Sequence, residues 1–388
     1  MEKIRVIFIS SVRPEPTSAG QIILYRHFCN RPEFDLEVYG FEPTKLSFRM
    51  VLRRLLGKIA QFGGIFETLV NCAWVLWKGR WIDKDLPAAV SKSQKTIVGT
   101  VAQGDGFYAA ERFAKKHSLP LVVFFHDWWP DMAGAPKPVV KVLGKRFLSL
   151  AQSCNLGICV SEGMKRALGG GKKLEVLPPI PGHFEFDMQF ASQAKAGTVF
   201  KIVYSGNLDL YGPMLLEALR VFKGHPQIQL QVRGSNPNWP DEAQNEIRAA
   251  GLWVEFAPRS ELVAWLQSAD AFLIPMVFEE KYRRRMMTSF PSKLIEFAQF
   301  GKPLIIWGPE YCSAVQWGEQ NEKALCVKSP DVDELSKQLE FLCALPDQKQ
   351  KYAEKSINAA ESEFNPSSIQ AIFLSMILKI LPDKKINE

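Results

Sequence analysis

Apolar and polar positions along this chain fall into alternating blocks. Short, nearly continuous apolar runs closed by Pro, Gly, Ser or Asn read as strands buried on both faces, and amphipathic stretches between them read as helices. In the first half the runs cover residues 4–9, 34–40, 95–101, 119–125, 156–160 and 174–177, with 4–9 as the first, central strand. Helices are predicted at about 21–30, 105–117 and 137–152, and a further one opens at Ser161, which suits an N-cap. The second half restarts the pattern, with strands at 200–204, 228–232, 253–256, 271–275, 304–307 and 324–327. Helices fall between them at about 212–223, 240–250, 260–268 and 292–300. Two tandem βα arrays predict an α/β protein of two doubly wound Rossmann-like domains facing across a cleft. The expected boundaries are residues 1–190 and 199–365, joined by the polar segment 189–198. A last helix at 366–381, rich in Ile, Leu and Phe, is expected to cross back to the first domain as part of a terminal segment, 366–388.

The most informative unit spans Ala271 to Glu310. Its centre reads Ser289-Phe290-Pro291-Ser292-Lys293-Leu294-Ile295-Glu296-Phe297-Ala298-Gln299-Phe300-Gly301-Lys302-Pro303. Ser289 or Ser292 is the expected N-cap, Pro291 fits the first turn, and Gly301 ends the helix. Strand, loop, helix, strand is one unit of a parallel sheet, in which ligands sit beyond the carboxyl ends of the strands. Lys293 and Glu296 are three apart and share a face. They form either an intrahelical ion pair on a solvated surface or a ligand-binding pair, the carboxylate accepting hydrogen bonds from a diol.

The run 290–303 resembles the donor-binding signature of family-four-like glycosyltransferases with the GT-B fold. In that family two glutamates separated by seven residues bind a nucleotide sugar. The second falls on Glu296, and the first falls on Thr288, where this chain departs from the pattern. The resemblance implies a donor site that includes Ser289, Phe290, Pro291, Ser292, Lys293 and Glu296. It also implies a glycine near the donor phosphates in the first βα loop, best matched by Gly20, and a His-Asp or similar pair near the transferred sugar, matched by His126-Asp127. His126 follows an apolar strand and enters a loop, which is the ligand edge of a parallel sheet. The family carries an Arg and a Lys just after the first strand of its second domain. Here that place reads Ser205-Gly206-Asn207-Leu208-Asp209-Leu210-Tyr211, so Gly206 and Asn207 line it without a cation. Arg233 and Lys293 are the expected substitutes, and the run Lys281-Tyr282-Arg283-Arg284-Arg285, expected to be a loop, is either a further source of charge or a solvated surface.

The totals narrow this reading. A chain of 388 residues, 47% hydrophobic and 23% charged, accommodates two globular domains. Its seven cysteines include no Cys-x-x-Cys, so buried thiols are expected rather than zinc or disulfides. The loop after the first strand is not G-x-G-x-x-G, which argues against a dinucleotide cofactor. No cofactor, metal or nucleic-acid partner is expected beyond the nucleotide diphosphate sugar itself. The N-terminus shows no secretory leader and no apolar run is long enough to span a bilayer, pointing to a cytoplasmic protein. The net charge of +7 is uneven. Residues 45–84 are strongly basic; Phe48, Leu52, Leu55, Leu56 and Ile59 lie opposite Arg49, Arg53, Arg54 and Lys58, and Trp74, Trp77 and Trp81 follow. This segment is either a helix on an anionic membrane surface or an ordinary helix packed on the sheet. The sequence thus predicts a glycosyltransferase moving a sugar from a nucleotide diphosphate sugar to a glycan or lipid-linked acceptor. By resemblance it retains anomeric configuration and serves surface polysaccharide or glycoconjugate biosynthesis. The alternatives are a non-catalytic GT-B-like binding subunit and a nucleotide-sugar epimerase of the same fold.

Overall fold

The computed structural model describes residues 3–17, 19–40, 77–90, 95–182, 199–235, 237–255 and 257–382, with isolated positions 55, 58, 69 and 73. The predicted linker at 189–198 and most of the basic segment 45–84 lie outside the described residues. The chain divides into two compact units: Met1–Pro178 with Ile369–Glu388, and Pro179–Ser368.

The first unit holds β1 (Ile4–Ile9), α1 (Ala19–Phe28), β2 (Phe34–Tyr39), β3 (Thr96–Val101), α2 (Gly106–His117) and β4 (Leu121–Phe125). After these come α3 (Trp129–Met132), α4 (Lys137–Ser153), β5 (Leu156–Cys159), α5 (Glu162–Ala167) and β6 (Leu174–Val176). Six strands form one parallel sheet in the order β2-β1-β3-β4-β5-β6. β1 therefore lies second from the edge, not at the centre, because only β2 is laid outside it. Strands β3 and β4 are buried at every position, as continuous apolar runs covered on both faces must be. Ser161 caps α5 as its type and position predict, accepting the Met164 N–H at 2.9 Å. α2 stops at Ser118, whose left-handed backbone (φ 54°) turns its N–H back onto the last turn.

The second unit begins with β7 (Phe200–Ser205), α6 (Gly212–Val221), β8 (Ile228–Arg233), α7 (Asp241–Ala249), β9 (Trp253–Val254) and α8 (Arg259–Gln267). It continues with β10 (Ala271–Pro275), α9 (Arg283–Thr288), α10 (Ser292–Ala298), β11 (Leu304–Trp307), α11 (Ser313–Glu319) and β12 (Leu325–Val327). Helices α12 (Val332–Ala344) and α13 (Pro346–Glu361) complete it. The sheet is again parallel, ordered β12-β11-β10-β7-β8-β9. Its direction of travel reverses beside β7, between β7 and β10. Open sheets of this kind bind ligands at the carboxyl ends of strands flanking such a reversal.

The last helix, α14 (Pro366–Ile380), packs on the first unit from Ile369 onward. Phe373 lies within 6 Å of the rings of Phe28, Phe34 and Phe124. Gln370 Nε2 donates to the His27 carbonyl at 3.1 Å, so its Oε1 faces His27 Nδ1 at 2.9 Å. That geometry requires a proton on Nδ1. Burial pushes the imidazole down to about 4. Of the cysteines, Cys154, Cys159 and Cys312 are buried free thiols, and desolvation raises all three.

Candidate active site

In the second unit the predicted donor residues lie on β7, β8 and β10 and the loops that leave them. Gly206 follows β7 and donates its N–H to the Arg233 carbonyl at 3.0 Å. A Cβ on Gly234 would stand 2.0 Å from the Gly206 carbonyl oxygen, and one on Gly206 would stand 2.6 Å from Tyr204 Oη. Gly234 needs glycine because two loops cross there backbone to backbone, and Gly206 because a side chain would meet the Tyr204 phenol. Exposed Asn207 accepts the Asp209 N–H on its side-chain oxygen at 2.8 Å, a local turn that also fixes the loop.

The signature lies between β10 and β11, as its pattern predicts. Leu294, Ile295, Phe297 and Ala298 are buried against the sheet, while Lys293 and Glu296 take the other side of α10. Lys293 Nζ is 3.0 Å from Glu296 Oε2, so the intrahelical pair is present, with Glu296 17% and Lys293 39% exposed. Neither serine caps the helix. Pro291 occupies the N-cap position with no side-chain cap, Ser292 is already the first helical residue, and the Ser289 carbonyl instead accepts the Ser313 hydroxyl. Phe290 packs at 6.2 Å from the rings of both Trp317 and Phe364, which gives it a structural role alongside its place in the signature. Gly301 ends the segment with φ 61°.

Two expectations need correction, and one departure from the family pattern gains a structural setting. The basic run 281–285 is not a loop: Glu280–Tyr282 form a 3₁₀ turn that enters α9. Thr288, at the place of the family's first glutamate, is fully buried with its hydroxyl donating to the Arg284 carbonyl at 2.9 Å. Arg233 is not a free cation. Its side chain is 6% exposed, both terminal nitrogens lie 3.1 Å from Glu261 Oε1, and the guanidinium sits over the Trp265 ring. Strand-end alternation turns it toward α8, a direction that the run 228–232 could not reveal.

In the first unit, His126 and Asp127 follow β4 at its carboxyl end, both half-buried. A Cβ on Gly20 would lie 3.9 Å from His126 Nδ1, so the start of α1 and the end of β4 lie close together. The His126 ring stands edge-on to Phe124, and burial, opposed by the Asp127 charge, lowers it to about 4. It is a neutral hydrogen-bonding group at neutral pH. A cluster absent from the predicted set closes the sheet's reversal between β1 and β3. Ser11 Oγ donates to Asp105 Oδ1 at 2.8 Å and accepts the Gly106 N–H, while Trp81 Nε1 donates to Asp105 Oδ2 at 2.7 Å. Trp81 is 7% exposed, so it belongs to the core and not to a membrane-facing set. The flanking glycines were the available signal: a Cβ on Gly104 or Gly106 would collide with the Ser10–Ser11 loop. Among the described residues no group of three or more His, Cys, Asp or Glu side chains is placed to hold a metal ion, and no helix is long and apolar enough to cross a membrane.

With this geometry in view, comparisons with known proteins are informative. Residues 185–360 match the family model described as Glycosyl transferases group 1. No curated protein sequence matches the chain. Among solved structures, Anabaena Alr3699/HepE in complex with UDP and glucose superposes with a TM-score of 0.60 at 13% identity, covering 97% of this chain and 100% of that one. Sucrose-phosphate synthase from Thermosynechococcus elongatus gives 0.62 at 14% identity, covering 98% and 99%. A glycosyltransferase from Rickettsia africae gives 0.61 at 13% identity, covering 98% and 99%. At such identities the likeness speaks for the fold, and the family match speaks for the second unit. Residues 185–360 are thus similar to the glycosyl transferases group 1, in a chain with the GT-B fold.

Proposed function

We propose that the enzyme transfers a sugar from a nucleotide diphosphate sugar to a glycan or lipid-linked acceptor, with retention of configuration, in surface polysaccharide or glycoconjugate biosynthesis. The observation that carries the reading is the placement of 290–303. The run forms the helix between β10 and β11, beside the reversal in the sheet, and Glu296 stands on its outward side at 17% exposure. A carboxylate there can accept both hydroxyls of a ribose. The UDP bound to the Anabaena structure makes a uridine nucleotide the first donor to test. Lys293, already at the same carboxylate, adds positive charge beside the departing diphosphate, a form of electrostatic stabilisation. His126 and Asp127 position the sugar or acceptor, with Gly20 admitting a ligand close to the ring.

The acceptor reading draws on residues 45–84. Leu55 and Lys58, two described positions of that stretch, are both exposed, as a surface-lying helix requires. Basic residues near an anionic bilayer contribute about 1 kcal/mol each. Reversing Arg49, Arg53, Arg54 and Lys58 to Glu should release the protein from anionic liposomes while donor binding persists.

A second reading, a non-catalytic binding subunit, draws on buried Thr288 and on the absence of a cation in 205–211. Purified enzyme incubated with a panel of labelled nucleotide sugars separates the possibilities. Slow release of free sugar without acceptor supports transfer, interconversion of the donor's sugar indicates an epimerase, and an unchanged donor panel favours the binding subunit.

A further inference from the structure

The donor reading leaves a question of charge, because a nucleoside diphosphate needs a cation and the loop after β7 has none. Among the described residues at the carboxyl edge of the second sheet, four basic side chains are occupied by carboxylates. Arg233 is held by Glu261, Lys293 by Glu296, Lys281 by Glu279, and Lys328 by Glu319. Arg283 pairs with Glu280 and lies 4.2 Å over the Tyr311 ring, and Arg284 is also engaged. Arg285 differs: it has no hydrogen-bond or ion-pair partner among the described residues.

Its position on α9 makes that unusual. Met286 and Thr288 are buried, and Tyr282, half-buried, packs on the same core. Arg285 is three residues from both Tyr282 and Thr288 and adjacent to Met286, so it lies on the inward seam of the helix and is half-buried there. The helix is anchored: the Val277 N–H points to Met286 Sδ at 3.3 Å, and Tyr311, under Arg283, donates to the Phe278 carbonyl. α9 is therefore fixed over the loops leaving β10 and β11, and it ends three residues before α10 begins. A partly desolvated guanidinium is rarely left without an anion, and two further arginines beside it raise the local positive potential.

We propose that Arg285 is the cation that binds the diphosphate of the donor, in place of the basic pair missing after β7. The inference rests on the donor reading above. Arginine suits the role because its planar fork can hold two phosphate oxygens at once. The pairings of Arg233 and Lys293 then remain intact when the donor binds.

Calorimetry of the full chain with UDP, GDP, ADP and dTDP, each beside its nucleoside, tests this. Wild-type protein should bind one diphosphate more tightly than its nucleoside. Arg285→Gln should weaken that diphosphate roughly ten- to a hundredfold, the scale of a hydrogen bond to a charged group, and leave the nucleoside unchanged. Arg285→Lys should fall between the two. A measurement on the unaltered protein guards against a folding defect: phenylglyoxal modification of Arg285, mapped by mass spectrometry, should be suppressed by the diphosphate and not by the nucleoside. Equal diphosphate binding in wild type and Arg285→Gln, or modification of Arg285 that the diphosphate leaves unaltered, overturns the inference while the donor reading stands. Wild-type protein that binds none of the diphosphates overturns both.

Discussion

Acid should loosen the last helix from the first unit, and His27 sets the size of the effect. The ring is 1% exposed, faces Phe373 at 4.5 Å, and holds its single proton on Nδ1 toward Gln370. Burial lowers its pKa from 6.5 to about 4, with the charges of His126, Arg31 and Arg26 acting in the same direction. A depressed folded-state pKa means that the unfolded chain takes up a proton first as pH falls. The contribution is therefore whole above about pH 6.5, declines as pH falls toward 4, and is lost below that. At about 1.36 kcal/mol per pH unit, the drop amounts to about 3 kcal/mol. Hydrogen exchange of the α14 amides reports the opening free energy directly. The double variant His27→Phe/Gln370→Leu replaces both polar partners with apolar groups of similar size. Wild type should lose about 3 kcal/mol more than this variant between about pH 7 and about pH 4. Equal losses would show that the His27–Gln370 contact does not carry the pH dependence, and would refute the reasoning.

Other substitutions address the site itself. Gly234→Ala, which sets a Cβ 2.0 Å from the Gly206 carbonyl, should lower stability by about 1–3 kcal/mol or more, measured by chemical denaturation. Thr288→Glu, which restores the family's first carboxylate, should destabilise rather than activate, because the position is fully buried; a folded variant with higher turnover would contradict this. His126→Ala should reduce turnover while donor affinity and melting temperature stay nearly constant, whereas a parallel fall in melting temperature would mark the ring as a packing element.

What the sequence made legible, and what it hid, follows from the range of the forces involved. The β10–α10–β11 unit was readable because Pro291 and Gly301 punctuate it locally and its apolar positions keep one period. The helix α9 was not, because three consecutive arginines conceal the Tyr282–Met286 spacing, and a six-residue helix offers little pattern. Capping by Ser289 or Ser292 was a local expectation that failed because the helix starts at Ser292 itself, which leaves Pro291 in the N-cap place. The pairing of Arg233 and the burial of Trp81 were hidden for a related reason. Their partners, Glu261 and Asp105, lie 28 and 24 residues away, beyond any periodic window. Two further proximities lay equally outside any local pattern: Gly20 beside His126, and Gly206 against Gly234.

The central claim is that Glu296 holds the ribose of a nucleotide donor on α10. Calorimetry of wild type and Glu296→Ala with UDP and with UDP-glucose tests it most directly. The account predicts binding by wild type and a loss of about 1–3 kcal/mol in the variant, the scale of hydrogen bonds to a carboxylate, with the melting temperature of the free protein nearly unchanged. Wild-type binding that Glu296→Ala leaves undiminished would contradict it.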